Sequence, residues 1–144
     1  MEHLYAVLLR EARSRLTILR LSNVYGAAML RAKEPQGVLG TWLQAAATGE
    51  PLRVSLPSPT RDVLHADDLS DLLVTLADEV KGKGRPVQAF EVGGGVPIAL
   101  LDIAKHLSAI SGAEVQLLEE DERSSSFRVG DYVSDISRVR AVYG

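Results

Sequence analysis

Apolar residues follow two periods along the chain. From Glu2 to Ser14, Leu4, Val7, Leu8 and Ala12 recur at helical spacing between charged residues, which predicts an amphipathic helix. Leu16 to Leu21 is a short, nearly continuous apolar run, the pattern of a strand buried on both faces, with Val24 just beyond it and Asn23 and Gly26 as its end. Ala27 to Gln36 carries Pro35 and basic residues without a firm period and predicts a surface loop. A helix is expected over Val38 to Thr48, with Leu39, Trp42, Leu43 and Ala46 on one face and Gly49 as its stop. Leu52 to Leu56 alternates as a strand, Arg61 to Ala66 reads as extended, and Asp67 is the expected N-cap of a helix reaching Val80. After a turn at Lys81 to Arg85 come a strand at Gln88 to Val92 and a tight turn at Gly93 to Gly95. A helix from Ile98 to Ser111 follows, with Leu100, Leu101, Ile103, Ala104 and Leu107 inward, then a strand at Val115 to Leu118. Glu119 to Ser126 reads as a loop, and Asp135 or Ser137 opens a last short helix.

Short strands alternating with helices predict an α/β architecture. A chain of 144 residues, 46% of them hydrophobic, is long enough for one sizeable core, so a single unit spanning 1–144 is expected. The 16 basic and 19 acidic residues leave a formal charge of −3, which offers no general attraction for nucleic acid or an anionic membrane. Any anion site must therefore be local. The absence of cysteine excludes disulfides and thiolate chemistry. No run approaches the roughly 20 apolar residues of a membrane span, and the first residues lack a signal-peptide pattern, so the expected setting is soluble and cytoplasmic.

Several polar clusters carry candidate chemistry. Asp62, His65 and Asp68 lack the spacing of a metal motif, and His65 reads as a packed strand-end histidine. Gly93-Gly94-Gly95 stands between a strand and a helix but lacks the spacing of a dinucleotide fingerprint, so it reads as a structural turn. Tyr25 has Met29, not lysine, four residues on and reads as a packing residue, and Ser124 to Ser126 lack a glycine elbow. Arg61 and Arg128 are either ordinary surface ion-pair partners or planar donors for an anion.

Read in order, the motifs are Arg20-Leu21-Ser22-Asn23-Val24-Tyr25-Gly26, Gly49-Glu50-Pro51-Leu52, Arg61-Asp62 with His65 and Asp68, Glu91-Val92-Gly93-Gly94-Gly95, Arg128-Val129-Gly130-Asp131, and Asp135-Ile136-Ser137-Arg138-Val139-Arg140. This series resembles the C-terminal half of the extended short-chain dehydrogenase/reductase family, the NAD-dependent epimerases and dehydratases of the UDP-glucose 4-epimerase type. The resemblance implies a few strands of a Rossmann-type sheet with a small substrate-binding α/β subdomain. It places the NAD-binding part and the catalytic Tyr-x-x-x-Lys pair ahead of Met1. It also implies that Arg61 and Arg128 clamp the diphosphate of a nucleotide sugar, that Asn23 bonds a phosphate or a sugar hydroxyl, that Asp131 accepts from the ribose, and that Leu39 lines the base pocket. The expected partner is then a nucleotide sugar, a UDP-sugar above all. No cofactor is expected on this chain alone, with NAD bound in the full-length family. Such a chain would be the nucleotide-sugar-binding portion of the enzyme, inactive alone. The alternative is a non-catalytic remnant of the fold that self-associates or binds a partner, as a homodimer or a strand-exchanged assembly. The chain departs from the family pattern at Leu56-Pro57-Ser58, where a glycine-rich turn is usual, and at Val63, which replaces an aromatic, both bearing on the nucleotide pocket; Glu91 also replaces an asparagine.

Overall fold

Residues 2, 5, 7, 16–79, 87–119 and 130–144 are described by the computed structural model. Most of the first expected helix, the Lys81 to Arg85 turn, the 120–126 stretch with Ser124 to Ser126, and Arg128 lie outside the described residues; Glu2, Tyr5 and Val7 have helical backbone. In chain order the elements are β1 (Leu16–Leu21), β2 (Asn23–Tyr25), a 3-10 turn (Ala27–Arg31), α1 (Gly37–Thr48), β3 (Leu52–Leu56), β4 (Thr60–Arg61) and β5 (Val63–His65). They continue with α2 (Ala66–Glu79), β6 (Val87–Val92), β7 (Ile98–Ala99), α3 (Leu100–Ser111), β8 (Val115–Glu119) and α4 (Ser137–Tyr143).

Three of the four strand pairs among the described residues are parallel: β1 with β6, β2 with β5, and β3 with β8, while β4 and β7 are antiparallel. Parallel pairs need a crossover, and α2 and α3 supply covering helices, so the architecture is the expected α/β one. At Ser22 the chain changes neighbours. The Ser22 N–H donates to the Val92 carbonyl at the end of β6, and the next amide, that of Asn23, donates to the Asp62 carbonyl just ahead of β5. One stretch of backbone thus joins the sheet to the segment that carries the site.

The apolar core forms two clusters. Leu39, Trp42 and Ala45 of α1 pack with Leu52 and Val54 of β3, Ala104 of α3 and Ala113. Leu64, Phe90 and Val92 form the second, joined by Leu69 and Leu72 of α2 and Val139 and Tyr143 of α4. Burial in β3 alternates, with Leu52 and Val54 inside and Arg53 and Ser55 outside, as its sequence period requires. α1 stops at Gly49, whose left-handed φ of 75° lets its N–H bond the Ala45 carbonyl.

Four local expectations are corrected. β1 is not buried on both faces: Thr17, Arg20 and Leu21 are exposed, because among the described residues only β6 pairs with it. The 27–36 loop contains a 3-10 turn, closed by the Met29 N–H on the Gly26 carbonyl. α3 begins at Leu100, not Ile98, because Ile98 and Ala99 are drawn into pairing with Arg61 and Thr60. Its first amides are met from a distance: Leu100 donates to the Pro59 carbonyl and Leu101 to Ser58 Oγ at 2.8 Å. The Leu56-Pro57-Ser58 departure thus supplies a helix cap. Finally, α2 is capped by His65, not Asp67, since His65 Nδ1 accepts the Asp67 N–H at 3.2 Å. The ring also stacks edge-on against Tyr25 at 5.1 Å, so His65 is the packed strand-end residue its position suggested.

α4 carries a pH-dependent contribution. Asp135 Oδ1 accepts the Ser137 N–H at 3.0 Å, and the hydrogen bonds from Ser137 hold the Asp135 carboxyl below its ordinary value. A carboxyl lowered in the folded state stabilises it above the unfolded-state pKa and loses that contribution as pH falls through the folded value. Asp135→Asn is therefore expected to flatten the acid limb of a melting-temperature profile between those two values; an unaltered acid limb would refute the capping role.

Candidate functional site

The three residues Thr60 to Asp62 gather most of the expected ligand-binding side chains. Asn23, at the start of β2, donates from Nδ2 to the Asp62 carbonyl at 3.0 Å. Arg61 donates from Nη1 to the Gly130 carbonyl and to the Thr60 carbonyl, both at 2.8 Å. Asp131 accepts the Thr60 N–H on Oδ1 at 2.6 Å, and the Tyr132 N–H reaches the Thr60 carbonyl at 3.1 Å. The 130–132 segment is therefore held beside β4 by bonds to Thr60 and Arg61. Asn23, Arg61 and Asp131 come together although 108 residues separate the first from the last (131 − 23 = 108).

Leu39 sits apart from this polar group. It is 8% exposed in the α1 core and lines an apolar cavity of about 240 Å³ between α1 and α3, with Tyr25, Leu43, Val63, Ile98 and Leu107. Ile98 is the cross-strand partner of Arg61, and directly opposed residues in an antiparallel pair share a face. The apolar cavity and the arginine thus lie on one side of β4. Val63, where the family pattern has an aromatic, is in the same wall.

Asp62 is the residue that spacing undervalued. Its side chain is 0% exposed, and it accepts three backbone hydrogen bonds: Gly94 N–H at 2.7 Å and Gly95 N–H at 3.1 Å on Oδ1, and Ser134 N–H at 3.1 Å on Oδ2. Those donors meet the need of a buried carboxylate for hydrogen bonds. Gly93 makes room for it, because a Cβ there would overlap the Asp62 carboxylate, and a Cβ on Gly94 would lie 2.5 Å from the Val63 carbonyl oxygen. The signal in the sequence was the pairing of an Arg-Asp step with a distant triple glycine. The same bonds decide what the glycine turn can hold. The Gly94 and Gly95 amides are spent on Asp62, so this turn does not fit the pyrophosphate of a dinucleotide, which needs such amides pointing at the ligand.

Arg20, first residue of the Arg-x-x-Asn-Val-Tyr-Gly motif, lies outside the gathered site. Its guanidinium grips Glu2 with Nε at 3.1 Å and Nη2 at 2.7 Å, and Nη1 reaches Glu91 at 3.0 Å. Arg20 and Glu91 are register partners across β1 and β6, so the Glu91 departure completes a cross-strand ion pair. The hydrogen bonds Arg20 donates to Glu2 and then to Glu91 raise its pKa, and the bond Glu2 accepts lowers that of Glu2. Arg20 and Glu2 are exposed and Glu91 is partly so, so this is a surface network of modest worth that ties Glu2 to the sheet.

The sequence profile described as the NAD dependent epimerase/dehydratase family matches residues 1–93. The chain belongs to that family. A curated relative, the dTDP-L-rhamnose 4-epimerase of Burkholderia thailandensis, is 29% identical over 132 residues, which is 90% of this chain and 34% of the relative. Among solved structures, UDP-glucose 4-epimerase from Thermotoga maritima, with UDP-glucose, superposes at a TM-score of 0.77 with 21% identity, over 97% of this chain and 43% of that one. UDP-N-acetylglucosamine 4-epimerase from Methanobrevibacter ruminantium, in complex with UDP-N-acetylmuramic acid, gives 0.76 with 16% identity, over 98% and 44%. These likenesses establish the Rossmann-like extended short-chain dehydrogenase fold of the family. The chain spans about a third to under half the length of the relatives it matches.

Proposed function

We propose that this chain is the nucleotide-sugar-binding portion of an NAD-dependent sugar epimerase or dehydratase. The observation that carries the reading is the convergence of Asn23, Arg61 and Asp131 on residues 60–62, beside an apolar cavity, in a chain of this family. A nucleotide sugar asks for that combination: charged planar donors for a diphosphate, hydroxyl-binding polar groups and an apolar wall. In this reading Arg61 and Arg128 hold the diphosphate and Asn23 bonds a phosphate or sugar hydroxyl. Asp131 accepts from the ribose with Oδ2, since its Oδ1 already serves Thr60. Leu39 contributes to the wall that receives the base.

Redox chemistry in this family needs a bound dinucleotide and a proton-accepting tyrosine paired with lysine. These 144 residues hold no Tyr-x-x-x-Lys, and Tyr25 packs on His65 and lines the apolar cavity. The chain alone is thus proposed to bind without turning over. Calorimetric titration of the purified chain with UDP tests this reading: saturable binding is expected, and a folded chain that shows no heat of binding would overturn it.

A further inference from the structure

We propose that Asp62 is the positioning residue of this site: its side chain does not touch the nucleotide sugar, but its carbonyl and carboxylate together fix the segments that carry Asn23, Arg61 and Asp131; the proposal rests on the nucleotide-sugar reading. Its two ends act on different partners. The carbonyl of Asp62 takes both the backbone N–H of Asn23 at 3.3 Å and its side-chain Nδ2 at 3.0 Å, which fixes the rotamer of Asn23 as well as its position. The carboxylate takes the Ser134 N–H on one oxygen and the Gly94 and Gly95 N–H groups on the other. Ser134 lies three residues beyond Asp131 and four beyond Gly130, whose carbonyl tethers Arg61. Through these bonds one residue sets the spacing between Asn23, Arg61 and Asp131.

The chemistry of the junction favours a positional role over simple cohesion. The carboxylate is fully buried, and its two oxygens are met by three main-chain N–H groups, those of Gly94, Gly95 and Ser134. Burying a charge is a costly way to join segments if an apolar contact would serve. A carboxylate, however, imposes direction: two acceptor oxygens at a fixed angle hold two backbones at a fixed separation. Among the described residues the buried Ser134 Oγ has no hydrogen-bond partner, whereas its main-chain N–H bonds Asp62, so the junction uses the main chain at this position.

The test is Asp62→Asn, which keeps the shape and turns one acceptor oxygen into a donor facing an N–H. UDP affinity is expected to fall by about tenfold or more, the size of a lost charge-assisted hydrogen bond, with the far-UV circular dichroism unchanged. Amide exchange at Gly94, Gly95 and Ser134 is expected to accelerate in the variant. Unchanged affinity in a folded variant, with UDP binding intact in the wild type, overturns the assignment of Asp62 and leaves the functional reading standing. Absence of UDP binding by the wild type overturns both. If the variant does not fold, exchange in the wild-type chain decides: UDP is expected to slow the Gly94, Gly95 and Ser134 amides, which do not contact the ligand in this reading, and exchange rates unmoved by saturating UDP overturn the proposal.

Discussion

Replacing Arg61 with alanine is expected to weaken UDP binding by about a hundredfold, and Arg61→Lys by about tenfold, in calorimetric titration. The two losses separate charge from geometry. Lysine keeps a positive charge in place but not the planar fork that grips two oxygens of a diphosphate at once, nor the Nη1 bonds that tie residue 61 to the Thr60 and Gly130 carbonyls. Alanine removes all of these. Because the Gly130 tether is also lost, the neighbouring Asp131 is expected to loosen, so part of the alanine effect is positional. Salt dependence provides the internal check, since affinity carried by a guanidinium and a diphosphate falls as ionic strength rises, and the Arg61→Ala protein should show a flatter slope. Wild-type affinity in Arg61→Ala would place the diphosphate elsewhere on the chain.

Trp42→Ala is expected to cost about 3–5 kcal/mol in stability, measured as a shift of the denaturant midpoint at constant m-value. Trp42 is 3% exposed in the cluster formed by α1, β3 and α3, and its Nε1 donates to the Arg53 carbonyl at 3.0 Å. Truncation would leave a large void and strand a carbonyl of β3. The same helix carries Leu39 to the apolar cavity, so loosening α1 is expected to blur that wall. A loss below about 1 kcal/mol would mean that the core collapses around the void, contrary to its tight packing.

What could be read from the sequence was whatever depends on near neighbours. The stop of α1 at Gly49 and the limits of β3 follow from a left-handed glycine and from alternation with proline punctuation, and both stand where they were expected. The misreadings each have a distant cause. The start of α3 moved because Ile98 and Ala99 answer to β4, and Asp67 lost the cap because His65, packed on Tyr25, is aimed at the Asp67 amide. β1 looked doubly buried because an apolar run does not record how many neighbours a strand has, and β6 is its only strand partner among the described residues. At the site, ordered motifs pointed to Asn23, Arg61 and Asp131, which do come together, and to Leu39, which lies in the adjoining apolar wall. The Arg61-Asp62 step marked Asp62 but not its role, because its donors lie 32, 33 and 72 residues away.

The change of neighbours at Ser22 ties the accuracy of the site to the register of the sheet. Successive amides at 22 and 23 are committed to different segments, β6 and the residue just ahead of β5, so a one-residue slip of β1 against β6 would carry Asn23 off Asp62 in the same step. If the chain binds a nucleotide sugar as proposed, misaligned pairings, which a sheet could otherwise sample at modest cost, are expected to be binding-incompetent as well, and ligand occupancy to select the correctly threaded form. Ligand added during refolding should on this account act as a proofreader of strand alignment.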